Sequence, residues 1–143
     1  MRKKIIPLAL AVTMCLFLMP FTAANASVRR QEPARIVAML WALKQRGKWY
    51  CWGGTGPSCF DCSGLVVQAY QHAGISLPRT TAEMLDSRML HRVSTPEKGD
   101  LAFYSPSHVE LYAHDDLTFG AHETGQRIGW IQEWEQPTFY QVE

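Results

Sequence analysis

The clearest pattern of apolar and polar positions lies in the segment that follows Asp61. Apolar residues recur there at helical spacing, at Leu65, Val66, Ala69, Tyr70 and Ala73. Asp61 can cap a helix at its N-terminus, and Gly74 stands where glycine commonly ends one. The pattern predicts a buried helix whose first turn carries Cys62. Because unpaired N–H groups and the helix dipole favour an anion in the first turn, we expect a nucleophilic thiolate there.

Two further helices are predicted, one on each side of this segment. The first runs from Pro33 to about Arg46, because proline favours the first turn and a glycine follows the last apolar position. The second is short and ends near Met89, because Thr80 and Glu83 have the spacing of a capping box.

The pattern changes after residue 99, where short apolar runs alternate with turn residues. These runs predict strands at 101–104, 108–113, 117–122, 127–132 and 139–142. Segment 48–58 is rich in glycine and aromatic residues and predicts a loop. Helices followed by short strands indicate an α+β fold, with helices packed on one face of an antiparallel sheet.

The first 26 residues have the pattern of a signal peptide. Basic residues come first, an apolar run follows, and the small residues Ala24 and Ala26 have the spacing of a cleavage site. We therefore predict an exported protein with one domain, residues 27–143, and no stable membrane association after cleavage. A retained membrane anchor is the alternative, but two prolines interrupt the short apolar run.

The charge of residues 27–143 argues against nucleic acid as a partner. This part contains 11 basic and 13 acidic side chains, a formal net charge of −2 with neutral histidines. Nucleic-acid binding would require a basic face. The charge gives no further indication of a substrate.

Residues 27–143 contain an odd number of cysteines. In an oxidising compartment, where cysteines form disulfides, at least one of them therefore has no partner within the chain. We predict a Cys51–Cys59 disulfide, because the glycine-rich segment between these residues is flexible enough to bring them together. This pairing leaves Cys62 free. A Cys59–Cys62 pair is the alternative, but no thioredoxin-like βαβ pattern surrounds this C-x-x-C sequence.

A thiolate nucleophile needs a base, and two histidines are candidates. His72, His91 and His114 lie in polar surroundings. His108 begins one predicted strand and His122 ends the next, and neighbouring strands can place two such side chains together. A free cysteine at a helix start and two histidines on adjacent strands favour nucleophilic catalysis over a purely structural role.

Several motifs occur in an order that is typical of one known family. They are Tyr50-Cys51-Trp52-Gly53-Gly54, Phe60-Asp61-Cys62-Ser63-Gly64-Leu65-Val66, Leu77-Pro78-Arg79-Thr80-Thr81, Gly99-Asp100-Leu101 and His108-Val109. From about residue 47 to residue 125, the chain resembles the NlpC family of bacterial cell-wall cysteine endopeptidases. The resemblance implies a minimal papain-like fold, in which a helix bearing the cysteine packs on a small antiparallel sheet bearing the histidine.

The resemblance also implies a function. Members of this family cut peptidoglycan stem peptides, often between D-glutamate and a diamino acid, and the chemistry needs no metal or other cofactor. By this resemblance, Cys62 is the nucleophile, His108 is the general base, and His122 is the polar group that orients the base ring.

Further residues match positions that contact substrate in the family. Tyr50 matches a tyrosine that lines the site and can help to hold the oxyanion. Asp61 and Ser63 match positions that contact the free amine of the stem peptide, and Asp61 can also cap its helix. Arg79 either faces substrate carboxylates or is a surface arginine.

One position departs from the family pattern. The family usually has glycine two residues after the histidine, and this chain has Glu110. Because side chains alternate along a strand, Glu110 shares a face with His108. Three interpretations are open: Glu110 raises the basicity of the site, contacts substrate, or turns outward at a strand edge.

Three alternatives compete with the endopeptidase interpretation. The first is an N-acetylmuramoyl-L-alanine amidase that uses the same cysteine and histidine. The second is a structural zinc site formed by Cys59, Cys62, His108 and His122. The third is a non-catalytic wall-binding module that stacks sugars on Trp49, Trp52, Trp130 and Trp134.

Overall fold

The computed structural model describes residues 32–143. The predicted signal peptide, residues 1–26, lies outside the described residues, and so does its cleavage site. Within residues 32–143, no helix has both the length and the apolar character needed to cross a membrane.

Three helices precede the main sheet. They are α1 (Ala34–Leu43), α2 (Cys62–His72) and α3 (Thr81–Asp86). Helices α1 and α2 pack against each other, and α2 also packs on the sheet. Thr80 and Glu83 form the predicted capping box at the start of α3. Helix α3 ends before the predicted Met89, because the chain then enters a strand.

Eight strands complete the fold. They are β1 (Trp49–Tyr50), β2 (Cys59–Phe60), β3 (Leu90–Val93), β4 (Leu101–Ser105), β5 (His108–His114), β6 (Leu117–Gly120), β7 (Gly129–Gln132) and β8 (Thr138–Val142). Six of them form one sheet in the order β3-β8-β4-β5-β6-β7, and all its neighbours are antiparallel. The predicted α+β fold is confirmed.

The strands differ from the sequence prediction in three places. Strand β3 was not predicted, because its alternation is weak and its strand conformation comes from pairing with β8. Strand β6 ends at Gly120, so His122 lies just beyond the strand in which it was predicted. The predicted loop 48–58 contains β1, which pairs in parallel with β2.

The hydrophobic core lies between α2 and the sheet. Its largest fully buried apolar side chains include Tyr70, Phe60, Phe119, Met39, Leu65, Met84, Leu101, Leu111 and Ile128. The Tyr70 hydroxyl donates a hydrogen bond of 2.8 Å to the carbonyl oxygen of Gly99. Burial raises the pKa of Tyr70, so the hydroxyl stays a donor. Because each such aromatic side chain contributes about 2 kcal/mol on burial, α2 is held firmly on the sheet.

A disulfide-closed loop packs on the start of α2. The structure contains the predicted Cys51–Cys59 disulfide, and Cys62 is the free cysteine among the described residues. The backbone N–H of Asp61 donates to the carbonyl oxygen of Gly54 at 2.9 Å. The N–H of Gly53 donates to the Asp61 carboxylate, also at 2.9 Å. The loop therefore fixes the residue that precedes Cys62.

Candidate active site

Cys62 is the first residue of α2, at the position that the sequence pattern predicts. Asp61 caps the helix by accepting a hydrogen bond of 2.6 Å from the N–H of Gly64. The Cys62 side chain is mostly buried, and its sulfur lies 3.8 Å from the carbonyl oxygen of Ser107. This arrangement places a thiol at the positive end of a helix dipole.

A cavity of about 510 Å³ opens beside Cys62. One side is formed by the loop that carries Trp52, whose side chain is 89% exposed at the rim. Thr81, Pro106 and Ser107 also line the cavity. The cavity therefore offers a substrate direct access to the sulfur.

His108 faces Cys62 from the sheet. It begins β5, the strand on which α2 packs, and its ring lies close enough to the Cys62 side chain for the two to interact. Burial acts to lower the pKa of His108, but hydrogen bonds and charge interactions with Cys62 and Glu110 raise it to about 9. With this pKa, His108 is protonated at neutral pH, and an imidazolium beside a cysteine is an arrangement that favours a thiol nucleophile.

Glu110 lies behind His108 and is completely buried. Its Oε1 atom is 2.8 Å from Nε2 of His108 and 3.0 Å from Nδ1 of His122. Its Oε2 atom accepts a hydrogen bond from the Thr118 hydroxyl. Burial acts to raise the pKa of Glu110, but its hydrogen bonds with these three side chains lower it overall. The carboxylate is therefore an anion, and it does not turn outward at a strand edge.

His122 bonds Glu110, and the two histidine rings are 5.3 Å apart between centroids. Nε2 of His108 therefore bonds Glu110. The family resemblance implies His122 as the residue in this position. The physical reason is the strand period of two, which directs Glu110 to the same face as His108.

Asp61, Ser63 and Arg79 form one cluster at the cavity wall. The Arg79 guanidinium donates to both Asp61 oxygens, at 2.7 and 3.1 Å, and to the Ser63 hydroxyl at 2.8 Å. The Arg79 side chain is 37% exposed and the Asp61 side chain 11%. The predicted amine-binding and carboxylate-binding groups therefore neutralise one another.

Tyr50 lies near the nucleophile, as the resemblance implies. Partial burial raises the pKa of Tyr50, and the negative charges of Cys62 and Asp61 raise it further. The phenol is therefore neutral at physiological pH and can donate a hydrogen bond to an anion.

Trp134 is part of the site, and sequence reasoning did not place it there. Its ring stacks on Tyr104 at 4.2 Å between centroids and meets the His122 ring edge-on, also at 4.2 Å. The His108 ring is 5.2 Å away. The segment around Trp134 is polar and irregular, so no periodic pattern in the sequence marked this contact.

One residue of the alternative zinc site cannot bind a metal ion. Cys59 is in a disulfide, so the alternative zinc site that needs this residue as a ligand is excluded. Among the described residues, the nitrogen and oxygen atoms of His108, Glu110 and His122 lie within 4.8 Å of one another. The two histidine nitrogens lie 2.8 and 3.0 Å from Oε1 of Glu110. These are hydrogen-bond distances, so the three side chains bond one another directly.

Comparison with known proteins places this fold and site in one family. The sequence model of the NlpC/P60 family matches residues 47–141. The chain belongs to the NlpC/P60 family. The match covers the disulfide loop, the helix of Cys62 and most of the sheet, so the predicted family resemblance is confirmed.

Individual NlpC/P60 proteins show the same likeness. The chain is 40% identical over 88 residues to "Probable endopeptidase p60" of Listeria monocytogenes, a match that covers 59% of this chain and 18% of that protein. It is 37% identical over 117 residues to "Murein DD-endopeptidase MepH" of Escherichia coli, covering 75% and 43% respectively. The chain thus spans about a fifth of the length of the Listeria protein.

A solved structure agrees with these matches. The NlpC/p60 domain of the peptidoglycan hydrolase SagA superposes with a TM-score of 0.66 at 30% identity. The superposition covers 76% of this chain and 97% of the SagA domain. The helices and sheet described above are therefore those of an NlpC/P60 domain.

Proposed function

We propose that this NlpC/P60 domain is an exported cysteine endopeptidase that hydrolyses amide bonds in peptidoglycan stem peptides. The observation that carries the proposal is the contact between Cys62, at a helix start, and a protonated His108 beside an open cavity. The names of MepH, p60 and SagA, which include endopeptidases and a peptidoglycan hydrolase, support it. The site of action would be the periplasm or the cell wall.

The proposed mechanism is acyl transfer. The Cys62 thiolate attacks the carbonyl carbon of the amide, and the imidazolium of His108 gives its proton to the leaving amine. Backbone N–H groups at the start of α2 and the neutral phenol of Tyr50 stabilise the oxyanion. His108, now neutral, takes a proton from a water molecule as the water oxygen attacks the thioester carbon. The C–S bond then breaks, which releases the acyl group as a carboxylic acid and restores the Cys62 thiolate.

The chemistry of the cavity wall fits a stem peptide, because such a peptide carries carboxylates. Asp61 and Ser63 hold the Arg79 guanidinium in place, and the exposed part of Arg79 presents N–H donors to a substrate carboxylate. These groups lie beside Cys62 in the cavity wall. We propose that the bond cut is the one between D-glutamate and the diamino acid.

The likeness to MepH favours a second candidate bond. That relative is named a murein DD-endopeptidase and covers more of this chain than the Listeria protein does. The second candidate is therefore the D,D amide bond that cross-links two stem peptides.

Defined muropeptides, digested and analysed by mass spectrometry, identify the bond. We expect an uncross-linked disaccharide tetrapeptide to yield a disaccharide dipeptide and a free dipeptide. Conversion of a cross-linked dimer into two intact monomers would instead establish the D,D bond. Release of the whole stem peptide from the sugar would overturn both candidates in favour of an amidase.

The pH dependence of hydrolysis is expected to follow His108. Its pKa is raised to about 9, so the proton needed by the leaving amine is present at neutral pH and is lost as the pH rises through that value. We therefore expect kcat/KM to fall on the alkaline side near pH 9. Stopped assays on a soluble muropeptide across the alkaline range measure it. A fall centred near the ordinary histidine value of about 6.5 would contradict the raised pKa of His108.

A further inference from the structure

We infer that Glu110 is the residue that positions the ring of His108, and that His122 acts on His108 only through Glu110. The inference rests on the proposed hydrolytic function of the site.

The His108 ring is held in one direction by Glu110. Its Nε2 atom bonds Glu110 at 2.8 Å, which leaves the other ring nitrogen for Cys62. A ring held at one nitrogen by a fixed acceptor cannot rotate away from the sulfur. His122 bonds the same oxygen of Glu110 at 3.0 Å, so its effect on His108 passes through the carboxylate.

The residues around position 110 leave room for a glutamate and bind its carboxylate. Thr118 donates to the second carboxylate oxygen, and the Tyr104 hydroxyl is 3.3 Å from the Thr118 hydroxyl. On the neighbouring strand, a Cβ atom at Gly120 would lie only 2.8 Å from Cγ of Glu110. Glycine at position 120 therefore leaves the space that the Glu110 side chain fills.

Water is excluded from the contact between Glu110 and the two histidines. Glu110 is 0% exposed, and Trp134 covers Tyr104, His108 and His122 with an aromatic ring. Charge interactions are stronger where water is excluded, so an anion in contact with His108 stabilises the imidazolium more than a neutral histidine would. A carboxylate next to His108 therefore keeps the ring protonated better than a neutral side chain would.

The test compares Glu110→Gln with His122→Gln. Glutamine keeps the size of Glu110 and removes its charge. We expect Glu110→Gln to lower kcat about 100-fold with KM changed less than about threefold, and His122→Gln to lower kcat less than about tenfold. The reverse order would show that His122 orients the ring and would overturn the inference.

The pH profile separates positioning from a merely structural role. The groups facing His108 are Cys62 from α2, Tyr104 from β4, Glu110 on its own strand, His122 after β6 and Trp134 after β7. Removal of the Glu110 charge is expected to move the alkaline limb of kcat/KM to lower pH. Thermal melting of each variant reports whether the fold survives. An unshifted limb in a folded Glu110→Gln protein would contradict the inference.

Glu133→Gln is the matched control. Glu133 is close enough to Glu110 for their charges to interact, but Glu133 is not hydrogen-bonded to His108. We expect this variant to keep wild-type kcat and the wild-type alkaline limb. A wild-type protein that hydrolyses no muropeptide would refute the proposed function itself. If the wild-type protein is active and the Glu110→Gln protein is equally active, only the role of Glu110 is refuted.

Discussion

Cys62→Ala is expected to lower hydrolysis of peptidoglycan fragments by at least about 1,000-fold while the fold survives. The sulfur is the atom that would form the acyl intermediate, and no other free thiol exists among the described residues. Its main-chain contact is weak, a 3.8 Å approach to the carbonyl oxygen of Ser107, so its loss costs little stability. Muropeptide hydrolysis measured by mass spectrometry, together with thermal melting, checks both parts of this expectation.

A pair of histidine variants provides the control for Cys62→Ala. His108→Asn removes the group that contacts the sulfur, and we expect a loss of turnover comparable to that of Cys62→Ala. His91→Asn alters a half-exposed histidine on β3 that bonds Gln141, and we expect wild-type turnover. Hydrolysis that persists in purified Cys62→Ala protein would refute the proposed mechanism.

Gly64→Ala is expected to destabilise the protein by about 3 kcal/mol, although alanine is the better helix former. A Cβ atom at Gly64 would overlap the backbone carbonyl oxygen of Gly54 and lie 2.8 Å from a carboxylate oxygen of Asp61. Neither neighbour can move freely, because Gly54 belongs to the disulfide-closed loop and Asp61 is the helix cap. Chemical denaturation measures the loss of stability.

The matched control for Gly64→Ala is Gly129→Ala. A Cβ atom at Gly129 would meet its nearest heavy atom, the carbonyl oxygen of Arg127, at an ordinary 3.8 Å. We expect a change in the free energy of unfolding within about 0.5 kcal/mol. Equal unfolding midpoints for Gly64→Ala and wild type would show that the loop does not pack against α2 as described.

The same substitution tests the link between the loop and the site. Since the loop holds Asp61 through the N–H of Gly53 and the carbonyl of Gly54, its displacement would move the residue next to Cys62. We therefore expect Gly64→Ala to lose turnover even at temperatures where most of the protein is folded. A 1 Å displacement of a reacting group is enough to cost about 100-fold in rate.

Local features of the chain were predictable from the sequence because neighbouring residues determine them. Asp61 caps α2, Thr80 and Glu83 form their capping box, and Cys62 begins its helix as predicted. The Cys51–Cys59 pairing was predictable for the same reason, since only a short flexible segment separates the two cysteines. The short strand β3 was missed because its conformation depends on the distant β8.

The charged groups of the site were only partly predictable. The strand period placed Glu110 on the face of His108, but three interpretations remained open until the structure showed its burial and its bonds. The closure of Arg79 on Asp61 joins residues 18 positions apart, and no local pattern reports such an ion pair. Trp134 reaches the histidines from a loop without periodicity.

The sequence by itself therefore determined the three helices, the later strands of the sheet, the family and the residue types available for catalysis. The tertiary structure alone decided which group touches His108, which charges neutralise one another at the cavity wall, and what covers the histidines. The physical reason is range: helix caps, capping boxes and short disulfide loops are formed within about ten residues of chain. Contacts between Glu110, His122 and Trp134 depend instead on strand pairing and packing between distant segments.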